Sequence, residues 1–475
     1  MQGLRGRADA VVLPESVEQA AAAVAWCYAR GVAIVPRGGG TGFSGGAVPD
    51  GGVVVALDRL SRVRRLQPEL WRMEVDAGIT TARVREAARG HGLMFPPDPG
   101  AAEQSQLGGN IACNAGGPHA FKYGNTRAWV SGVEVVVAGG EVARFGGPLR
   151  KDVAGYDFTG LFHGSEGTLG LVTGAWVRLA PAPEAAIPVL AAYAGHDAGC
   201  AAILRVLASG LVPAALEFLD AGTLAASRGA FPEPLPEAAA FLVVAEADGT
   251  RAAASALAGE LLEALAPGSL AAFALDGAPE AGLAAADGPV AGSASARTAA
   301  LWRWRSGVSY AVMAQRGGKV SEDVAVSPDR MPEAMAALAE IGARFDLPVC
   351  CWGHAGDGNL HGTFVIDPTS AAQRARAEAA AEAFMDAARG LGGTVSAEHG
   401  LGLVKRGQFA RHFGAVEARM HLAVKAALDP QGLFNPGKKV WLPPPGCRAR
   451  AGAPPASGAG PRRARSPAGR GSVAA

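Results

Sequence analysis

Residues 352–364, WGHAGDGNLHGTF, hold an Asp-Gly pair between two apolar runs. That dipeptide favours a two-residue turn, which commits the flanking runs to an antiparallel hairpin. With Asp357 and Gly358 at the turn, Gly356 pairs with Asn359, Ala355 with Leu360, and His354 with His361. Directly opposed residues on one sheet face have Cβ atoms roughly 4.5–5.5 Å apart. Two imidazoles so placed can close on one metal ion. A third candidate ligand lies downstream in VSAEHGL, where Glu398 precedes His399. Two histidines and a carboxylate make an open divalent-metal site. A hairpin with two hydrogen-bonded histidines is the plainer alternative.

At 475 residues and 49% hydrophobic content, the chain is long enough for two or three domains with sizeable cores. A net charge of +1 gives no basic face for nucleic acid. Residues 442–475 stand apart, with several arginines, no acid and many Pro, Gly and Ala, and read as a disordered tail. Cys27, Cys113, Cys200, Cys350, Cys351 and Cys447 form no CxxC pair, so reduced thiols and a cytoplasmic chain are expected. The first residues lack the apolar core of a signal peptide, and no run of about 18 apolar residues offers a membrane span. Peripheral attachment to the inner face of a membrane stays open.

Short buried strands are expected at 11–13, 32–35 and 53–57. Between the first two, Ser16 starts a helix, Gln19 completes a capping box and Gly31 ends it. A strand at 73–75 and a helix at Thr81–Arg89 continue the alternation, and Gly139-Gly140 reads as the turn after a strand at 133–137. Pro181 and Pro183 mark a boundary between residues 1–182 and 183–441. Residues 273–297 read as a low-complexity insertion.

The first part carries a run of glycine-rich loops. Residues 36–46, PRGGGTGFSGG, follow a strand, and glycine lets backbone N–H groups approach a ligand closely. Successive N–H groups make an anion-binding nest suited to pyrophosphate. The further loops are PPDP at 96–99, GGNIACNAGG at 108–117, KYGNTR at 122–127 and GYDFTGLFHGSEGTLG at 155–170. Such a set suggests a long ligand gripped mostly by backbone.

These blocks resemble the FAD-binding domain of the vanillyl-alcohol oxidase / p-cresol methylhydroxylase type. Together with GHAGDGNLH, AEHGLG and NPGK at 435–438, the chain is similar to the FAD-linked D-2-hydroxyacid dehydrogenases. That family includes D-lactate dehydrogenases, D-2-hydroxyglutarate dehydrogenases and the flavin subunit of glycolate oxidase. The resemblance implies an α+β fold. A two-subdomain FAD-binding domain is followed by an α/β cap with an antiparallel sheet, whose C-terminal end returns to the flavin. It implies that Arg37, Gly38, Gly39, Gly40, Thr41, Gly42, Gly45 and Gly46 wrap the pyrophosphate. Pro97, Asp98, Gly108, Gly109, Asn110, Asn114 and Gly117 would line the flavin. Gly164, Glu166, Gly167, Thr168 and Val172 would hold the adenosine and pyrophosphate side, and Asn435 would reach the isoalloxazine. Thr41 stands where relatives with covalent flavin carry His, so FAD is expected to be non-covalent.

Oxidising a 2-hydroxy acid needs a cation for the carboxylate, a base for the hydroxyl proton and an acceptor for the C2 hydride. Flavin N5 is that acceptor. A metal, expected to be Zn²⁺, on His354, His361 and Glu398 would lower the hydroxyl pKa. His399 suits the general base. Arg305, in LWRWRSG, is similar to the family's carboxylate clamp, with Ser309 one turn on. Asn359 is expected to hydrogen-bond substrate, and Asp357 to orient a ligand or the turn. Some relatives carry Lys-x-Asp where this chain has Ser321-Glu322-Asp323, with Lys319 two residues early. That departure favours D-lactate or glycolate over D-2-hydroxyglutarate. The re-oxidant would be a quinone, a cytochrome, an electron-transfer flavoprotein or an iron-sulfur subunit, in a homodimer or hetero-oligomer. Alternatives are an alkyl-glycerone-phosphate synthase-like flavoprotein and a non-catalytic FAD-binding subunit.

Overall fold

The first strand, Ala10–Val12, pairs in parallel with Val53–Ala56, which pairs in turn with Ile34–Arg37. The helix between them, Val17–Tyr28, starts at Ser16, whose hydroxyl accepts from the Gln19 N–H. The return bond of the expected capping box goes one residue further out, because the Gln19 side chain accepts from the Glu15 N–H rather than from Ser16. Gly31, at φ +63°, takes the left-handed position that ends the helix. A five-stranded antiparallel sheet follows, in the order Val63–Gln67, Arg72–Asp76, Leu171–Arg178, Val130–Val136 and Val142–Gly146. Gly139 and Gly140 turn the last pair with positive φ. The computed structural model describes residues 4–275 and 296–440. Most of the low-complexity stretch and the basic tail lie outside the described residues.

After Pro183 the chain enters a second sheet. Its seven strands run Ala271–Ala274, Ala185–Tyr193, Phe241–Gly249, Ala215–Leu219, Val349–His354, Asn359–Ile366 and Gly318–Ala325, each antiparallel to its neighbours. One face is apolar along its length. It packs on helices His196–Ala208, Arg251–Leu265, Met331–Phe345 and Ala371–Gly390 through residues such as Val243, Phe218, Phe364, Leu338 and Phe384. The other face is divided. At one end Leu190, Leu242, Leu219, Trp352 and Val365 pack under helix Ala296–Ala314. At the other end the alternate positions are buried and polar: Glu246, Glu217, His354, His361 and Asp323. Period-two alternation therefore separates a hydrophobic core from a row of ionisable groups on adjoining strands.

The C-terminal segment returns to the first sheet. The Ile34 N–H donates to the Leu433 carbonyl and the Asn435 N–H to the Ile34 carbonyl, both beside the 36–46 loop. Phe434 is fully buried in the core of the first part.

Candidate active site

The hairpin forms with a register that differs from the expected one. Trp352, not His354, lies opposite His361, and the turn is a short 3-10 segment, Ala355–Asp357, closed by Gly358 at φ +65°. A Cβ on Gly358 would stand 1.9 Å from the Val326 carbonyl, so this position requires glycine. The longer turn moves the pairing by two residues. Because side chains alternate with period two, an even shift leaves every residue on its original face. His354 thus lies diagonal to His361, with ring centroids 5.6 Å apart and planes nearly perpendicular. Asp357 is exposed at the turn.

Three imidazoles converge on one carboxylate oxygen. Glu398 Oε1 lies 3.7 Å from His354 Nε2, 3.6 Å from His361 Nε2 and 3.6 Å from His399 Nε2. Ligands about 2.0–2.1 Å from a tetrahedral Zn²⁺ stand roughly 3.3–3.4 Å from one another, so these separations suit a shared cation. A second set, Asp323, His361 and His399, is also close enough. Its carboxylate is already saturated, however. Asp323 Oδ2 accepts from Ser396 Oγ and from the N–H groups of Ala397, Glu398 and His399 at 2.9–3.1 Å. The donor set His354, His361 and Glu398 is the one that fits a metal, and Asp323 holds the loop that delivers Glu398 and His399.

Glu217, fully buried, was not singled out from the sequence. Its Oε1 lies 2.5 Å from His354 Nδ1, and its Oε2 pairs with Arg305. Burial pushes its carboxyl up, but Arg305 and His354 outweigh burial and hold it down to about 2. An anionic carboxylate only accepts, so His354 Nδ1 carries a proton. Burial pushes this imidazole down, but Glu217 and Glu398 outweigh burial and raise it well above its ordinary range, so a metal at Nε2 would have to displace a proton. Burial pushes His361 down to about 3, which keeps this imidazole neutral, as a ligand must be. Burial raises Glu398, but the neighbouring histidines, His354 foremost, keep it anionic. The hint of Glu217 in the sequence is a lone acid inside the apolar strand ALEFL, 137 residues before its partner.

Arg305 is buried beside this cluster, while Arg303 is exposed. Contrary to a clamp wholly free for substrate, its Nη2 is engaged by Glu217. Its Nε is buried without a hydrogen-bond partner. Asn359 Nδ2 donates to Asp323 Oδ1 and the Val324 carbonyl, which leaves its buried Oδ1 unpartnered. Ser309 does not support Arg305. It accepts from Lys319 Nζ, which also lies 4.9 Å over the Trp352 ring. Lys319, Ser321 and Asp323 alternate along one strand, so the lysine two residues early projects from the same face as Asp323. Burial pushes its ammonium down to about 8, and it makes no ion pair among the described residues.

The glycine loops close on one another as a ring. A Cβ on Gly38 would stand 3.1 Å from the Gly109 nitrogen and one on Gly167 3.1 Å from the Pro36 ring, and the Glu166 N–H donates to the Ala112 carbonyl. Gly39, Gly108 and Gly117 admit close backbone or side-chain neighbours that a Cβ would strike. Gly40, Gly45 and Gly164 have positive φ, and Thr41 lies between Gly40 and Gly42. At Gly42 and Gly46 a Cβ would meet no protein atom within 4 Å, so this rim faces space a ligand can fill.

Several side chains assigned to the flavin by resemblance have protein partners. Arg37 folds back on the Gly38 and Gly39 carbonyls and Asp58, and Asp98 binds His119. Pro97 accepts from Arg85 through its carbonyl. Asn110 donates to Thr81, Asn114 accepts from the Arg127 N–H, and Thr168 donates to the Ser165 carbonyl. Val172 is buried in the core. The Glu166 carboxylate accepts from the Leu401 and Gly402 N–H groups, and Asn435 donates to the Gly46 and Glu166 carbonyls. These side chains tie the loops to one another and to the rest of the protein.

Residues 8–146 match the FAD binding domain family and residues 182–439 the family of FAD linked oxidases, C-terminal domain. The chain belongs to the FAD-linked oxidases. It is 35% identical over 435 residues to the glycolate oxidase subunit GlcD of Bacillus subtilis, covering 90% of this chain and 88% of the relative. It is 37% identical over 440 residues to a D-2-hydroxyglutarate dehydrogenase of Xanthomonas citri pv. viticola, with the same two coverages. A D-lactate dehydrogenase of Anaerostipes hadrus is 30% identical, covering 91% and 90%. The crystal structure of p-cresol methylhydroxylase with substrate bound shares the fold, with a TM-score of 0.71, 18% identity and coverage of 92% and 89%. The protein is thus an FAD-linked oxidoreductase of the D-lactate, glycolate and D-2-hydroxyglutarate dehydrogenase family. In this FAD-linked oxidase, no helix among the described residues is long and apolar enough to cross a membrane.

Proposed function

We propose that the protein oxidises a D-2-hydroxy acid to the 2-oxo acid with FAD and one divalent metal ion, Zn²⁺ by its donor set. The observation that carries this reading is the convergence of three imidazole Nε2 atoms on Glu398 Oε1. FAD, held in the cradle rimmed by Gly42 and Gly46, supplies the acceptor for the C2 hydride. A metal on His354, His361 and Glu398 supplies Lewis acidity toward the substrate hydroxyl. His399 takes the hydroxyl proton at Nε2, and Asp323 holds its loop by accepting from the His399 backbone N–H. Arg305 offers its remaining N–H donors to the substrate carboxylate, and Asn359 Oδ1 accepts from the substrate.

Ser321 in place of a lysine favours D-lactate or glycolate. One observation supports a second reading: Lys319, on the same face and in no ion pair among the described residues, suits an acid with a negatively charged tail. The metal hairpin argues against an alkyl-glycerone-phosphate synthase-like transfer and against a non-catalytic subunit. An electron-accepting partner, protein or quinone, completes the turnover. The naming of the Bacillus subtilis relative as a subunit supports a hetero-oligomer.

The test is an anaerobic visible spectrum of the metal-loaded protein before and after D-lactate, L-lactate, glycolate and D-2-hydroxyglutarate. Bleaching of the flavin band by one D-acid or by glycolate, lost in His399→Ala, is expected. A band unmoved by all four would sink the reading.

A further inference from the structure

A second cluster of buried charge lies at the seam between the two matched domains. Asp98 and His119 come from the FAD binding domain; Glu246, Asp248 and Trp302 come from the C-terminal domain. His119 is 2% exposed, with Nδ1 2.5 Å from Asp98 Oδ2 and Nε2 2.9 Å from Glu246 Oε1. Glu246 shares its two oxygens, because Oε2 accepts from Trp302 Nε1 at 2.6 Å. The His119 and Trp302 rings also touch, with centroids 5.3 Å apart. With an acid at each nitrogen, the imidazole is held as a cation. Burial pushes it down, but Asp98 and Glu246 outweigh burial and raise it to about 10.

Trp302 lies three residues before Arg305 on helix Ala296–Ala314, so the two are neighbours on one helical face. We propose that His119 is a positioning residue. Through Glu246 and Trp302 it fixes the helix that bears Arg305 against the flavin domain. The aim of the substrate arginine is then set from the other domain. This rests on the reading of Arg305 as the carboxylate clamp. Misplacement of a binding group by about 1 Å is enough to weaken a reaction many-fold.

A neighbouring strap separates aiming the helix from merely joining the domains. Lys122 and Tyr123 both bind Asp248, two residues beyond Glu246 on the same strand, and neither hydrogen-bonds Trp302. Four variants decide the matter: His119→Gln, Trp302→Phe, their combination, and Lys122→Met. The measurements are flavin content, amide hydrogen exchange across the Arg305 helix, and KM and kcat with whichever hydroxy acid bleaches the wild type.

His119→Gln and Trp302→Phe are each expected to raise KM about tenfold more than they lower kcat, with FAD retained and helix exchange accelerated. The combination is expected to be no worse than the worse single variant, because both break one chain of contacts. Lys122→Met lowers the melting temperature but leaves KM and helix exchange at wild-type values. Unchanged exchange in His119→Gln overturns the proposal, as do additive effects in the double variant or a Lys122→Met protein that behaves like His119→Gln. If no hydroxy acid reduces the wild-type flavin, the reading of Arg305 fails. Helix exchange alone then still decides whether His119 holds the helix.

Discussion

Glu217 sits between Arg305 and His354, and its loss acts on both. Glu217→Gln keeps the shape but removes the charge that orients His354 and neutralises Arg305. Metal affinity is expected to fall by roughly 10–100-fold, read by competition with a chelator. Two glycines give opposite outcomes. Gly42→Ala adds a methyl to open space, so the apo protein should keep its stability within about 0.5 kcal/mol while flavin occupancy falls. Gly117→Ala drives a Cβ to 2.2 Å from the Asp98 carbonyl, so the fold itself should weaken by about 1–3 kcal/mol in denaturant titration. At this scale the sequence made His354, His361, Glu398 and His399 visible, because they sit in two short motifs. Glu217 stayed hidden because its partners are distant in the chain, and a single glutamate in a strand carries no spacing signal.

Single elements show what fixes the loops. Lys405, 4% exposed, pairs with Glu322 at 2.9 Å and also donates to the Asp323 and Val395 carbonyls, pinning the Glu398–His399 loop to the edge strand. Lys405→Met leaves Glu322 buried and unpaired, and a loss of about 3–5 kcal/mol in urea unfolding is expected. The His119 link gives a pH signature. Its folded pKa, about 10, lies above the ordinary 6.5. Its stabilisation is therefore complete below pH 6.5 and is lost as pH rises through about 10. Melting temperatures of wild type and His119→Gln should differ most near neutral and acidic pH and converge in alkali; a gap that widens with pH refutes this. Strand and helix positions were legible from alternation, Ser16 and the glycines. The turn type was not, because Val326 and its neighbours, far along the chain, select the longer loop that Gly358 closes.

Across the whole molecule, the loops at 36–46, 108–117 and 164–168 touch one another, and residues 401–402 and 435 tie them to the C-terminal part. A ligand in that ring stabilises both parts together. At a hundredfold excess over its Kd, FAD should add about 2.7 kcal/mol. Calorimetry with and without FAD should show one transition that moves upward as a unit; a trace in which only one of two transitions moves would contradict it. The ordered set of glycine loops and histidine motifs made the family and architecture legible. The return of Phe434 and Asn435 to Ile34 is a contact between distant chain segments, which periodicity does not register.

The hairpin also sets a rule for altering this protein. Each arm is also held by a neighbouring strand, with His354 opposite Glu217 and His361 opposite Asp323, so the turn can change length while both histidines keep their face. A single-residue insertion in either arm would rotate a histidine into the hydrophobic layer under Phe384 and Leu338 and bring an aliphatic side chain out in its place. Loops grafted at Ala355–Asp357 should therefore be tolerated at odd and even lengths alike, whereas single insertions in an arm should not, with metal content as the readout.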